Sequence, residues 1–100
     1  MAGFVGKLEV GETLSAAPYL AGPWREFSRA SIRADEEYRL EGADAEYAVI
    51  VTAGDGLASV GEHQEPFNVG SAFVVGLGSN LRLRAGTSRV ELFVTTVDAH

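Results

Sequence analysis

Tyr47-Ala48-Val49-Ile50-Val51-Thr52 runs directly into Ala53-Gly54-Asp55-Gly56. Six apolar or β-branched residues form a strand-length run, and the two glycines behind them permit the positive φ of a tight turn. The same alternation of strand and turn continues downstream. Leu57–Val60 reads as a short strand and Gly61–Gln64 as a turn. Glu65-Pro66-Phe67-Asn68 leads through Val69-Gly70-Ser71 to a strand at Ala72–Val75, closed by the turn Gly76-Leu77-Gly78-Ser79-Asn80. Leu81-Arg82-Leu83-Arg84 alternates strictly, as a strand with one wet face does. After the turn Gly86-Thr87-Ser88, Val90–Val97 forms the last long strand. Turns spaced about 8–12 residues apart predict an all-β sandwich or barrel.

Upstream the pattern is weaker. Phe27–Ala34 alternates loosely, Tyr38 and Leu40 share one face of a short strand, and Val5–Leu14 reads as one or two edge strands. Ser15–Trp24, with two prolines and one glycine, reads as a loop. Eight to ten strands are expected in one domain, with residues 1–26 supplying edge strands and the proline loop, 27–97 the barrel and 98–100 a tail.

Composition narrows the chemistry. A chain of 100 residues suits one domain, and 46% hydrophobic with 22% charged residues is globular in character. Without cysteine there is no disulfide framework, thiolate metal site or cysteine nucleophile, and two histidines cannot make a three-histidine metal centre. A net charge of −6 argues against a nucleic-acid partner. No apolar run is long enough for a spanning helix, and the first ten residues lack the basic and apolar regions of a signal peptide. The expected location is cytoplasmic, with no membrane partner.

The stretch Tyr47–Ala85 resembles the core of the cupin superfamily, small jelly-roll barrels of the double-stranded β-helix type. The second cupin motif runs Gly, five residues, Pro, one, Gly, two, His, three, Asn. Gly70, Gly76, Gly78, Leu81 and Ala85 hold that spacing, with Gly, Leu and Ala in place of Pro, His and Asn. Counting back from Gly54 sets Tyr47 at the glutamate of the first motif, and its two histidines fall at Glu41 and Ala43 or at Leu40 and Gly42. The run from Phe27 through the Val49–Gly56 corner to Val75 also looks like the C-terminal barrel of class I phosphomannose isomerases, which is largely structural in those enzymes. Metal-using cupins ligate through three histidines and a carboxylate. The resemblance therefore implies a barrel with no metal or other cofactor here.

If Tyr47 points inward, so do Val49 and Val51; if Leu81 points inward, so does Leu83. Tyr38 and Leu40 belong to the same interior. Such an interior either fills completely or leaves an apolar pocket for a small organic ligand, lined by Tyr38, Tyr47, Val49, Leu81 and Leu83, with Glu41 or Arg29 near its mouth. Trp24 anchors the proline loop, or else provides an aromatic platform at a ligand mouth or dimer contact. Two functions follow as expectations. One is a non-catalytic binding or assembly module for a sugar-like or organic ligand. The other is a metal-independent isomerase, cyclase or lyase using Tyr47, Tyr38, Glu41 or His63. Outward Ile50 and Val74, with Phe4–Leu14, point to a homodimer.

Overall fold

The computed structural model describes residues 8–16 and 24–98. They form nine strands: β1 Thr13–Ser15, β2 Trp24–Ile32, β3 Glu37–Glu41, β4 Ala45–Ala53, β5 Gly56–Val60, β6 His63–Phe67, β7 Ala72–Val75, β8 Asn80–Ala85 and β9 Val90–Asp98. All pairings are antiparallel. They build a five-stranded sheet in the order β1-β2-β9-β4-β7 and a four-stranded sheet in the order β3-β8-β5-β6. The chain crosses between sheets at β2–β3, β3–β4, β4–β5, β6–β7, β7–β8 and β8–β9, so the five-stranded sheet closes only when the last strand, β9, is in place.

Alternation drives the packing. In β8 every second residue is buried, with Leu81, Leu83 and Ala85 inside and Arg82 and Arg84 outside. In β9 Val90, Leu92, Val94 and Thr96 are buried, and in β4 Val49 and Val51 meet them across the sheet. Leu83, Leu92, Val49, Val51, Val75 and Val90 are fully enclosed. Each such side chain contributes roughly 1.5–3 kcal/mol of burial energy. The T-shaped contact of Phe67 and Phe73, with centroids 5.8 Å apart, joins β6 of one sheet to β7 of the other. The corner at Gly54 follows from backbone shape. Its φ is +87°, and a Cβ there would strike the Arg89 carbonyl and Val90.

Three expectations change. Gly61–Gln64 is not all turn: β6 begins at His63 and carries Pro66 inside it. Proline is tolerated because β6 is an edge strand, bonded to β5 alone. Trp24 opens β2 instead of ending a loop, and a bulge between Trp24 and Glu26 shifts the register of that strand. Within Val5–Leu14, only Thr13 and Leu14 of the described residues are strand; Val5–Lys7 and most of the proline loop lie outside the described residues, as does the tail beyond Asp98.

Candidate functional site

Directly opposed residues on neighbouring strands share a face. The inner residues of the five-stranded sheet therefore form a continuous row, Ser15–Glu26–Thr96–Tyr47–Val75. The next inner row is Thr13–Ser28–Val94–Val49–Phe73. Opposite, the four-stranded sheet presents Leu40–Leu81–Val60–His63 and then Tyr38–Leu83–Ala58–Glu65. The first row of each sheet lies at the end where β3 passes through Gly42–Asp44 into β4. This end is the barrel mouth.

The mouth carries polar groups and the floor beneath it does not. Val49, Leu83 and Leu92 are 0% exposed, so the interior below the first rows is packed solid. Val49 and Leu83, expected to line a pocket, are core residues, and Leu81 is covered almost as completely. Tyr38, Tyr47 and Glu26 remain half-buried. Burial pushes the Tyr38 phenol above its ordinary range, and the negative charges available to Tyr47 and Glu26 add to that effect. By register Glu26 and Tyr47 share the inner mouth row, and Tyr38 stands on the inner face of the facing sheet, one row below Leu40. No side-chain hydrogen bond among the described residues engages any of the three. At the rim, Arg25 donates from Nε to Asp98 at 2.5 Å. This hydrogen bond, reinforced by Asp98 and Asp44, raises the guanidinium pKa further above its already high value.

The other sequence candidates lie elsewhere. Glu41 is exposed on the outer face of β3, opposite Asn80. It lines a cleft of about 250 Å³ together with Arg39, Leu40, Gly61, Asn80, Leu81 and Arg82. Arg29 also faces outward, bonding Glu91 at 2.9 Å and the Leu8 carbonyl at 3.0 Å. His63 is in line with the mouth row by register, but its side chain is 74% exposed on the edge strand and meets Glu65 at 3.2 Å. Trp24 stacks on Phe27, which stacks on Phe93, along the outer face of the five-stranded sheet. It is no part of the mouth. Glu26 is the residue that sequence reasoning missed; its signal is the phase Glu26-Ser28-Ala30-Ile32, obscured by the bulge.

The fold resolves the spacing of the histidine positions. Leu40 is inward and Gly42 buried, whereas Glu41 and Ala43 are exposed. Gly42 is held by its N–H donating to the Ser79 carbonyl and its carbonyl accepting from Gly78. A Cβ at Gly42 would collide with the Gly76 carbonyl. Leu40, Gly42, Tyr47 and Leu81 thus offer one phenol oxygen at the positions where the resemblance to metal-using cupins would set four donors. Such a set does not fit a metal. Among the described residues no group of three His, Cys, Asp or Glu is close enough to hold one.

No protein-family profile matches the sequence, and no curated protein does. Solved structures do match. A cupin 2 conserved barrel domain protein from Salinispora arenicola superposes with a TM-score of 0.75 at 17% identity, covering 88% of this chain and 74% of that one. A cupin protein from Bacteroides fragilis gives 0.74 at 15% identity, covering 99% and 84%. The fold is that of the cupins. A de novo designed double-stranded β-helix also matches, with a TM-score of 0.58, 14% identity, and coverage of 70% and 96%. The cupin fold is thus reached here by a sequence whose identity to these structures is at most 17%. Among the described residues, no helix is long and apolar enough to cross a membrane.

Proposed function

We propose that this cupin barrel is a metal-free, non-catalytic binding module that takes a small organic ligand at its mouth. The observation that carries the reading is the trio Glu26, Tyr38 and Tyr47. These half-buried polar side chains stand in inward-facing rows of the two sheets toward one end of the barrel, and none is committed to a side-chain hydrogen bond among the described residues. A concave apolar site with a few convergent polar groups is the usual form of a small-molecule site. The likeness of Phe27–Val75 to the phosphomannose isomerase C-terminal barrel adds sugar-like molecules to the ligands worth testing. Titrating ¹⁵N-labelled protein with a library of small organic fragments tests the proposal. Saturable shifts gathered on the amides of Glu26, Tyr38, Tyr47 and Thr96 are expected, and hits confined to other faces would overturn it.

One observation favours a catalytic alternative. The Tyr38 phenol holds its proton more firmly than usual beside a carboxylate. That pairing suits proton donation and abstraction in a metal-independent isomerisation, cyclisation or elimination. Turnover of a fragment hit, abolished by Tyr38→Phe while binding persists, would establish this alternative.

The assembly proposed is a homodimer in a cytoplasmic setting, where a cysteine-free protein loses nothing. Its support is the outer face of the five-stranded sheet. Val74 is 82% and Ile50 48% exposed there, flanked by Ala48 and by the Trp24–Phe27–Phe93 stack. Apolar exposure of this kind on one sheet face marks an interaction surface.

A further inference from the structure

We infer that the barrel mouth selects a small organic cation, a primary ammonium or guanidinium on a short apolar stem. The inference rests on the mouth being a ligand site and adds the chemical class of the ligand. Four features of the mouth support it.

The first is the charge inside. Glu26 sits in the inner mouth row, paired with Thr96, and Thr96 is paired in turn with Tyr47. A carboxylate half withdrawn from water is stabilised by a donor-bearing cation far more than by a neutral donor.

The second is the charge at the rim. Arg25 is the cation beside Tyr47, and it is engaged by Asp98 at 2.5 Å with Asp44 close by. With Glu26 counted, three carboxylates face one guanidinium. The field at the opening therefore draws cations and repels anions.

The third is the pair of rings. Tyr47 shares the inner mouth row with Glu26 through Thr96, and Tyr38 stands on the inner face of the facing sheet; the π faces of such rings attract an ammonium or guanidinium that approaches the carboxylate. The fourth is the apolar company of these groups. Leu40, Leu81 and Val75 in the mouth rows are buried and carry no donor or acceptor side chain, so a second polar end of the ligand would find no partner among them.

A neutral polyol would leave the carboxylate without a charged partner. A carboxylate or phosphate ligand would meet Glu26 head-on. The combination of one inward acid, two phenols and apolar neighbours matches the cation alone.

The test uses three short-stemmed probes, n-butylammonium, n-butanol and butyrate, titrated into the full chain at fixed ionic strength and followed by ¹H–¹⁵N spectra. Butylammonium is expected to shift the amides of Glu26, Tyr47 and Thr96 saturably, with an affinity at least about tenfold above that of n-butanol, since a charge-assisted hydrogen bond is roughly twice as strong as a neutral one. Butyrate is expected to leave them in place. E26Q should bring butylammonium down to the level of n-butanol, whereas E41Q, which removes an outward acid, should leave it unchanged. Tyr47→Leu removes a ring and no charge, and should weaken butylammonium more than n-butanol. Equal binding of n-butanol and butylammonium would overturn the cation assignment and leave the mouth as a ligand site. Butylammonium binding that survives both E26Q and Tyr47→Leu would overturn the assignment of these residues. Absence of mouth shifts with every probe, and with the fragment library, would remove both readings.

Discussion

Arg39 on β3 and Arg82 on β8 lie directly opposite each other on the outer face of the four-stranded sheet. Like charges so placed repel, and each sits at a strand position that fixes its Cβ near its neighbour's. Arg39 is drawn aside to Glu37 at 3.2 Å, while Arg82 has no ion pair with any described residue. Arg82→Glu converts the repulsion into an attraction. Chemical denaturation should find the variant more stable by about 0.2–1 kcal/mol, the range for exposed cross-strand pairs. A loss of stability would mean that Arg82 does something the pairing does not reveal.

The Tyr38 phenol gives the barrel a dependence on alkaline pH. Its folded-state pKa is raised above the unfolded value of about 10, so the folded form binds the proton more tightly. Its contribution is fully present below pH 10 and is lost as pH rises through the folded pKa. Tyr38→Phe should flatten that part of the stability profile, measured by thermal melts between pH 8 and 11. An unchanged alkaline slope would show that other groups set it.

Leu83 is 0% exposed between β3 and β5 and meets Tyr38 and Ala58 across the sheet. Leu83→Ala should destabilise the barrel by about 2–5 kcal/mol, as buried leucine truncations do. Against the typical 5–15 kcal/mol for a domain, that is a large fraction. A midpoint shift in urea reads it directly. Arg84→Ala, one residue along and outward, should stay within about 0.5 kcal/mol.

Ile50 stands on the outer face opposite Phe93, beside Val74 and Ala48. A lysine in its place puts charge in the middle of the proposed dimer surface without entering the core. Light scattering should report a dimer for the parent at micromolar concentration and a monomer for Ile50→Lys. A monomeric parent would remove the dimer outright.

How much of this was readable beforehand varies by strand, for physical reasons. β8 and β4 each have one wet and one dry face, so alternation set Leu81, Leu83, Tyr47, Val49 and Val51 inward, and Tyr38 and Leu40 likewise on β3. β6 gave no such signal. Its burial is exposed at four positions and closed only at Phe67, because an edge strand with Pro66 in it has little apolar surface to hide. β2 is partly covered on both faces, by the barrel inside and by its own aromatic stack outside, so polar and apolar residues intermingle. The bulge at its start then changes the phase. The bulge puts Trp24, which stacks on the outside, out of phase with Glu26, while Glu26 itself is masked by the mixed polarity of the strand. Glu41 was misplaced for a simpler reason: a spacer of variable length left two registers open, and only the pairing of Leu40 with Leu81 chooses between them.

Gly42 also bears on what this barrel can become. Its backbone is clasped by the Gly76–Ser79 turn, and the room a side chain needs is already filled by the Gly76 carbonyl. A histidine could arise at 40, 47 or 81 by single substitutions, yet none could be accepted at 42 until that turn had been rebuilt. A complete four-donor set on this backbone therefore requires a broken turn first. The limit lies in the main chain, where no change of the other three side chains can lift it.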